Sequence, residues 1–479
     1  MREYETVIGL EVHVELATRT KIFCSCSTAF GGAPNTHCCP VCMGMPGTLP
    51  VLNKKVVEFA AAVGLATGCD ITRDCKFDRK NYFYPDLPKA YQISQLYLPI
   101  CRGGKVEIET AAGKKTVGIH EIHMEEDAGK LVHDPWSDCT LIDYNRCGVP
   151  LIEIVSEPDM RSAEEVIAYL EKLKLILQYL GVSDCKMQEG SMRADINLSV
   201  RPVGASKLGT RTEMKNMNSF KAIARAVEGE KRRQIELLEE GRQVLQETRR
   251  WDDNKESSFA MRSKEDAQDY RYFPEPDLPP IHIDEAWLEE IRGRQPELRD
   301  AKLHRYMEEY RLPEYDAAIL TSSKRLADLF EETTELSKRP KEVSNWLMVE
   351  TMRLTKEREM DPEDIQFSPG HLADLIRLVE TGVINRPAAK KVFAAIFTED
   401  VDPKAYVKAN KMEMVQDEEG LKAVVLQVME ANPQSVSDYR NGKEKALGFL
   451  IGQVMKAMKG KADPGRAGEL LREALRSGK

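Results

Sequence analysis

The sequence predicts an α+β protein in which a strand-rich first part is followed by a helical second part. Two observations carry that expectation. Up to about Asp300, short strand-like runs alternate with Gly and Pro punctuation and a few helices; from about Pro296, helical periodicity takes over without clear strands. A length of 479 residues also leaves room for two to four domains with a sizeable core.

The strands come first in the chain. Alternation of apolar and polar residues, bounded by turn formers, predicts them at Thr6 to Leu16, Lys105 to Thr110, Lys115 to Met124, Thr140 to Asn145, Leu151 to Val155, Ala194 to Arg201 and Gly209 to Asn216. Two helices interrupt this series. One runs from Ala163 to Leu180, with Ser162 and Glu165 as a capping box and Gly181 as its stop; the other runs from Ser219 to Glu240 and ends at Gly241. In the helical part, apolar spacing predicts Ala301 to Tyr310, Lys324 to Glu335, Val343 to Leu354, Gly370 to Thr381 and Pro387 to Phe397, with a last helical segment from about Val407. There Leu447, Leu450, Ile451 and Val454 form a stripe edged by Lys443 and Lys456, which reads first as core and only second as phosphate contact.

Composition excludes several classes. With 42% hydrophobic and 31% charged residues the chain reads as globular, and no apolar run approaches the length of a bilayer span. The opening Met1-Arg2-Glu3-Tyr4-Glu5 lacks the apolar stretch of a signal peptide, so a cytoplasmic location is expected. A net charge of −9 argues against a generic, charge-driven nucleic-acid binder. The tail differs: from Val436 to Lys479 there are ten Lys or Arg against five Asp or Glu, as would suit a phosphate backbone. Eleven cysteines, five of them between Cys24 and Cys42, point away from disulfides in that compartment. Cys24-Ser25-Cys26 and Cys39-Pro40-Val41-Cys42 supply two close thiol pairs, which is the spacing of a closed, structural zinc site, with His37 and Cys38 as alternative ligands.

The chemistry is carried by a repeated pattern. Glu11-Val12-His13-Val14-Glu15 and Glu121-Ile122-His123-Met124-Glu125 each place Glu, His and Glu on one face of a strand. If the two strands lie side by side, carboxylates and imidazoles combine into a cluster suited to a hard divalent cation such as Mg2+; otherwise both are solvated faces of half-buried strands. Glu126 and Asp127 extend the second run and crowd three carboxylates together. The segment Phe77 to Gln95 packs aromatics and cations into a loop broken by prolines. There Lys80 or Arg79 could neutralise a phosphoryl group and the tyrosines, Tyr82 among them, could stack on a base or sugar, unless the segment is a buried aromatic turn. Arg193, Asp195 and Asn197 share one strand face, and Thr212-Glu213-Met214-Lys215 leads to a helix start. No P-loop is present, Gly113-Lys114-Lys115-Thr116 reads as a hairpin turn, and there is no nucleophile elbow of a hydrolase.

Five long motifs in order extend these fragments. Val7 to Glu15, Lys76 to Pro88, His123 to Lys130, Pro150 to Asp159 and Asp269 to Asp277 together resemble the B subunits of tRNA-dependent amidotransferases. The resemblance implies an enzyme that uses ATP and Mg2+ to phosphorylate the side-chain carboxylate of glutamate or aspartate misacylated onto tRNA(Gln) or tRNA(Asn). Ammonia, released from glutamine by a separate amidase (A) subunit, would be led through a tunnel and displace phosphate. A small (C) subunit would tie the other two together in a heterotrimer. By the same resemblance residues 1–293 form a cradle domain with the active site, within which the spacing puts the zinc loop at 24–42, residues 294–406 a helical domain, and residues 407–479 a small helical tail that holds tRNA. Carried over by motif, Glu11, His13 and Glu125 would ligate or orient the metal. Lys80, Arg79, Tyr82, Arg193, Asp195, Glu213 and Lys215 would serve the ATP and phosphate region, and Glu126 or Asp127 would assist catalysis or guide ammonia. Cys24, Cys26, Cys39 and Cys42 remain the zinc ligands on spacing. The rival reading is a non-catalytic tRNA-binding adaptor with a structural zinc.

Overall fold

A computed structural model describes residues 3–134, 136–263, 269–414, 418–458 and 462–477; Met1 and Arg2 at the start of the chain, and Lys459, Lys461 and Lys479 of the basic tail, lie outside them. Two compact units divide the chain, Met1–Leu298 and Arg299–Lys479.

In the first unit the chain runs through β1 (Tyr4–Glu15), α1 (Lys54–Ala66), β2 (Asp70–Ile71), β3 (Asp74–Cys75), β4 (Asp78–Asn81), β5 (Tyr91–Ser94), β6 (Cys101–Arg102) and β7 (Lys105–Thr110). It continues through β8 (Gly113–Glu126), β9 (Lys130–His133), β10 (Thr140–Asp143), β11 (Pro150–Ser156), α2 (Ala163–Leu180), β12 (Met192–Pro202), β13 (Thr212–Lys215) and α3 (Phe220–Glu239). It ends with β14 (Glu247–Asp252), β15 (Ser257–Ser263), β16 (Phe273–Pro274), β17 (Ile281–His282) and α4 (Glu285–Gly293). Ten of the strands form one mixed sheet in the order β15-β14-β13-β12-β1-β11-β8-β6-β2, with β7 paired to β8. Among the described residues, only the β13–β14 pairing within it is parallel.

Alternation explains why this sheet has two unlike faces. Leu10, Val12 and Val14 of β1, Ile122 and Met124 of β8, Ile152 and Ile154 of β11, and Ala194, Ile196 and Leu198 of β12 are all buried in one core. The helices cover that face, with α1 against β8, α2 against β7 and α3 against β12. The opposite face is left to the polar partners of the same strands.

The helix ends follow their sequence signals with one change. The Ser162 hydroxyl accepts the Glu165 amide and Gly181 closes α2 at φ +68°. Glu165 does not reach back to Ser162: its carboxylate takes the Arg161 amide at 2.7 Å and Lys115 Nζ at 2.8 Å, a charged partner outcompeting the local amide. Ser219 caps α3 from outside instead of opening it, accepting the Ala222 amide. Gly113, at φ +110°, closes the tight turn between β7 and β8 where the Gly-Lys-Lys-Thr run predicts a hairpin.

The second unit is helical throughout its described residues. The single helix expected from Val343 to Leu354 is instead Pro340–Asn345, a π-helical stretch Trp346–Thr351 and Met352–Glu357. The Thr351 hydroxyl donates to the Trp346 carbonyl at 3.2 Å across this wider turn. Helix Pro403–Ala409 runs through the expected 406/407 division, because Asp402 caps it and Pro403 opens it. Farther on, Leu421, Val425, Leu447, Leu450, Val454, Leu470 and Leu471 form a separate small core. Three residues of the apolar stripe are thus core, while Lys443 and Lys456 are exposed at its edges. No helix of the described residues is long and apolar enough to cross a membrane.

Candidate active site

The two Glu-x-His-x-Glu strands do not lie side by side. β11 is hydrogen-bonded between them, pairing antiparallel with β1 on one side and β8 on the other. Register then sets the polar face: His13 is opposite Glu153, Glu153 is opposite His123, and on the other side of β1 His13 is opposite Arg193 and Glu11 opposite Asp195. Glu153, a lone charge in the apolar run Leu151-Ile152-Glu153-Ile154-Val155, is the residue that sequence reasoning left without a role. Its signal was present, since a single carboxylate at an alternating position of a buried strand must meet a partner.

His13, Glu125 and Glu153 bring ligand atoms within 4.8 Å of one another. His13 Nε2 lies 3.4 Å from Glu153 and 3.7 Å from Glu125; His123 Nε2 lies 3.1 Å from Glu153 and 3.8 Å from Glu125. Burial works against a charged ring at His13 and His123, yet the surrounding carboxylates outweigh it and raise both above the ordinary imidazole range. Burial likewise opposes charge on Glu153, and the two imidazoles overcome it and hold the carboxyl well below its usual range. His123 Nδ1 is buried without a hydrogen-bond partner, its nearest acid being Glu121 at 3.6 Å.

Glu11 belongs to a second group, with Asp195 and Glu213 within 4.8 Å. Burial, then the neighbouring charge of Glu153, raises its pKa. Asn197 donates to Glu11 at 2.8 Å and the Thr248 hydroxyl donates to Glu213 at 2.7 Å, so both carboxylates are aimed. Lys215 already pairs with Asp195 and, at 2.8 Å, with Glu213. The expected set Glu11, His13 and Glu125 is therefore spread over two adjoining groups.

At the end of β8 the carboxylates turn to other partners. Asp127 accepts Arg193 at 2.8 Å, with Arg146 Nε at 3.5 Å. Despite burial these cations keep the Asp127 pKa low, while burial and the Asp127 charge push Glu15, its hydrogen-bonded neighbour, up to about 8. Glu15, Arg146 and Arg193 line a cleft of about 670 Å³ together with Lys130, Gly190 and Met217. Glu126 is buried against Lys89 and accepts the Ile93 amide at 2.9 Å. Lys89 and Arg146 had no role in the sequence reading.

The aromatic loop forms a separate three-stranded sheet of β16, β4 and β5. Its Ser94 hydroxyl approaches Glu125 at 3.4 Å. Lys80 Nζ sits 4.9 Å from the Tyr270 ring and 5.8 Å from that of Tyr82. Burial and then the Glu125 charge raise the Tyr82 phenol, which places this ring in the field of the carboxylates. Arg79 faces elsewhere. It grips Glu275 through two nitrogens at 2.6 and 3.0 Å, reaches Asp277 at 2.9 Å and stacks 4.1 Å from the Tyr91 ring. That makes it a staple for the segment at 273–277, not a free cation for phosphate. Arg79→Ala strands the buried Glu275 carboxylate and is expected to cost about 3 kcal/mol of stability. Thermal unfolding checks it.

The four cysteines meet as the spacing required. Cys24, Cys26, Cys39 and Cys42 bring their sulfurs within 4.8 Å, and Cys38 instead lies 3.8 Å from the Asn145 side chain. The 3.9 Å between Cys39 Sγ and Cys42 Sγ fits the edge of a tetrahedron with Zn–S bonds of about 2.3 Å. The Cys39 amide points at Cys42 Sγ from 3.2 Å. With the Cys24 thiol donating to it, and Lys21 nearby, Cys42 falls to about 4, whereas burial pushes Cys26 up to about 11. The donor sets thus fit two kinds of ion: four soft thiols for zinc, and imidazole with carboxylates for a hard divalent cation.

The structure thus joins a mixed sheet, whose open face concentrates imidazoles and carboxylates, to a helical region that follows it along the chain. The chain matches the family model of the GatB/GatE catalytic domain over residues 6–289 and that of the GatB domain over residues 328–475. It belongs to the GatB/GatE family. It is 72% identical to the B subunit of the aspartyl/glutamyl-tRNA(Asn/Gln) amidotransferase of Lachnoclostridium phytofermentans over 475 residues, which is 99% of each chain. The B subunit of the same enzyme from Agathobacter rectalis is 70% identical over 475 residues, 99% of this chain and 100% of its own. That from Caldicellulosiruptor bescii is 60% identical over 476 residues, 99% of each.

Proposed function

We propose that this chain is the kinase and transamidase subunit of an aspartyl/glutamyl-tRNA amidotransferase, working in one complex with a glutamine-hydrolysing amidase and a small linking subunit. The observation that carries the reading is the face on which His13, Glu153, His123 and Glu125 converge from three neighbouring strands. A carboxylate oxygen attacks phosphorus poorly because both groups are anionic, so the site must supply positive charge where the two meet. Mg2+ held by His13, Glu125 and Glu153 would neutralise the phosphates of ATP. Glu11, Asp195 and Glu213 form the second wall, and Lys215, now paired with two of them, is the cation placed to exchange toward phosphate. Tyr82 and Lys80 border the same face.

The product of phosphoryl transfer is a mixed anhydride of the aminoacyl side chain. Ammonia attacks its carbonyl carbon, the C–N bond forms, the C–O bond to phosphate breaks and a proton is released. Asp127 and Glu126 would guide ammonium toward that carbon by their charge. Asp127 is the one linked through Glu15 to the cleft. Arg440, Lys445 and Lys456 are exposed on the tail, as an RNA backbone requires. Zinc bound by Cys24, Cys26, Cys39 and Cys42 is structural, because four thiolates leave no open position.

The test supplies the chain, assembled with its two partner subunits, with glutamyl-tRNA(Gln) or aspartyl-tRNA(Asn), ATP, Mg2+ and glutamine, and follows the amidated product. Wild-type protein forms it; Glu11→Ala and Glu125→Ala do not. If both variants fold, bind tRNA and still form amide, the chain is a tRNA-binding adaptor and the catalytic reading fails.

A further inference from the structure

Lys21 is fully buried, and no carboxylate of the described residues pairs with it. A buried ammonium without a counter-charge is costly, and carbonyls alone do not repay it. Lys21 Nζ donates to the His37 carbonyl at 2.7 Å and to the Tyr144 carbonyl at 3.4 Å, and its remaining contact is Cys42 Sγ at 3.7 Å. Cys42 belongs to the four-cysteine cluster, and His37 lies in the loop between its two thiol pairs. Zinc with four thiolates carries a net charge of minus two, so it is itself the anion that this lysine lacks.

We propose that Lys21 is a positioning residue for the four-thiolate centre: its ammonium neutralises part of the cluster's charge and fixes Cys42 through an N–H to sulfur hydrogen bond. The inference deepens the zinc reading above and rests on it. The arrangement also connects the centre to the polar face. A small cavity of about 70 Å³ is lined by Lys21, Cys24 and Cys42 together with Lys89 and Glu126. Gly44, in the turn after Cys42, has φ +66°, and a methyl group there would come within 2.5 Å of Lys89 Cγ. Lys21 therefore braces the knuckle where it leans on the Lys89–Glu126 pair.

The experiment uses the full chain loaded with zinc and compares wild type with Lys21→Met, which keeps the unbranched side chain one atom shorter and removes its charge. Zinc release to a chromogenic chelator is expected to be faster by about 10–100-fold, the usual effect of deleting an outer partner of a metal ligand. In cobalt-substituted protein the sulfur-to-cobalt absorption band is expected to move to lower energy, since the Cys42 thiolate loses a donor; a purely space-filling lysine would leave it in place. Unchanged release and an unchanged band overturn the proposal. Should Lys21→Met not fold, cadmium-113-loaded wild type decides: scalar coupling from cadmium to the Lys21 ammonium protons supports the bond, and its absence overturns it. If the wild-type chain takes up no zinc, the zinc reading fails before Lys21 is tested.

Discussion

Glu153→Gln is expected to lower formation of amidated tRNA by at least about 100-fold, the loss seen when one preorganised electrostatic contact is removed from a reacting centre. The substitution keeps the size of the side chain and deletes one charge. In the wild type that charge is held between two imidazoles, 3.1 Å from His123 and 3.4 Å from His13, on a side chain only 14% exposed. An amide in its place gives the two rings a neutral oxygen or a competing N–H, and His13, Glu125 and residue 153 then offer a hard cation one anion fewer. The surrounding strands should not move, because the change leaves the buried neighbours Ile152 and Ile154 untouched. Single-turnover amidation by the assembled complex is the measurement, with glutamine hydrolysis and tRNA binding as controls that stay at wild-type levels. Wild-type amidation would remove Glu153 from the site.

The second large effect concerns the knuckle. Cys42→Ser is expected to abolish stoichiometric zinc and to destabilise the first unit by about 3 kcal/mol, which for a unit of this size lowers the melting temperature by roughly 5 °C. Asn35 and His37 also tie the loop to the 142–145 segment, so the loss is centred on its thiol end. Between the two thiol pairs it carries Phe30 at 73% exposure, while Cys42, at 5%, is the ligand that enters the core. Loss of order there should reach Lys89, against which Gly44 packs, and through it Glu126. Amidation is therefore expected to fall along with stability, by about tenfold, even though none of the four clustered thiols belongs to the strands of the polar face. Metal content by mass spectrometry and scanning calorimetry check the first effect. Recovery of activity on cooling, without zinc, would separate it from the second.

Much of this was legible before folding. The period-two runs located the strands of the polar face, and the Ser162 cap and the Gly181 stop were readable because caps are local hydrogen bonds between residues two or three apart, whereas Ser219 was read as the first residue of its helix. The zinc loop was legible for a similar reason, since two thiols within three residues already lie near one another. Arg79 was misread. In the sequence it is one of two adjacent cations in an aromatic loop, and nothing local shows that Glu275 and Asp277, almost two hundred residues away, take it up. Glu153 was passed over because its importance depends on neighbours it does not have in sequence.

What the sequence determined by itself is therefore which residues share a face, where elements start and stop, and that four thiols can close around an ion. Each of these follows from backbone geometry over a few residues. Only the tertiary structure decided that β11 lies between β1 and β8, that Glu11 and His13 serve different groups, and that Lys89 and Lys21 stand between the thiol cluster and the carboxylates. Those are choices of strand neighbour and register over more than a hundred residues. They are set by how the apolar faces pack into one core, and a one-residue slip would turn every carboxylate of the site into that core.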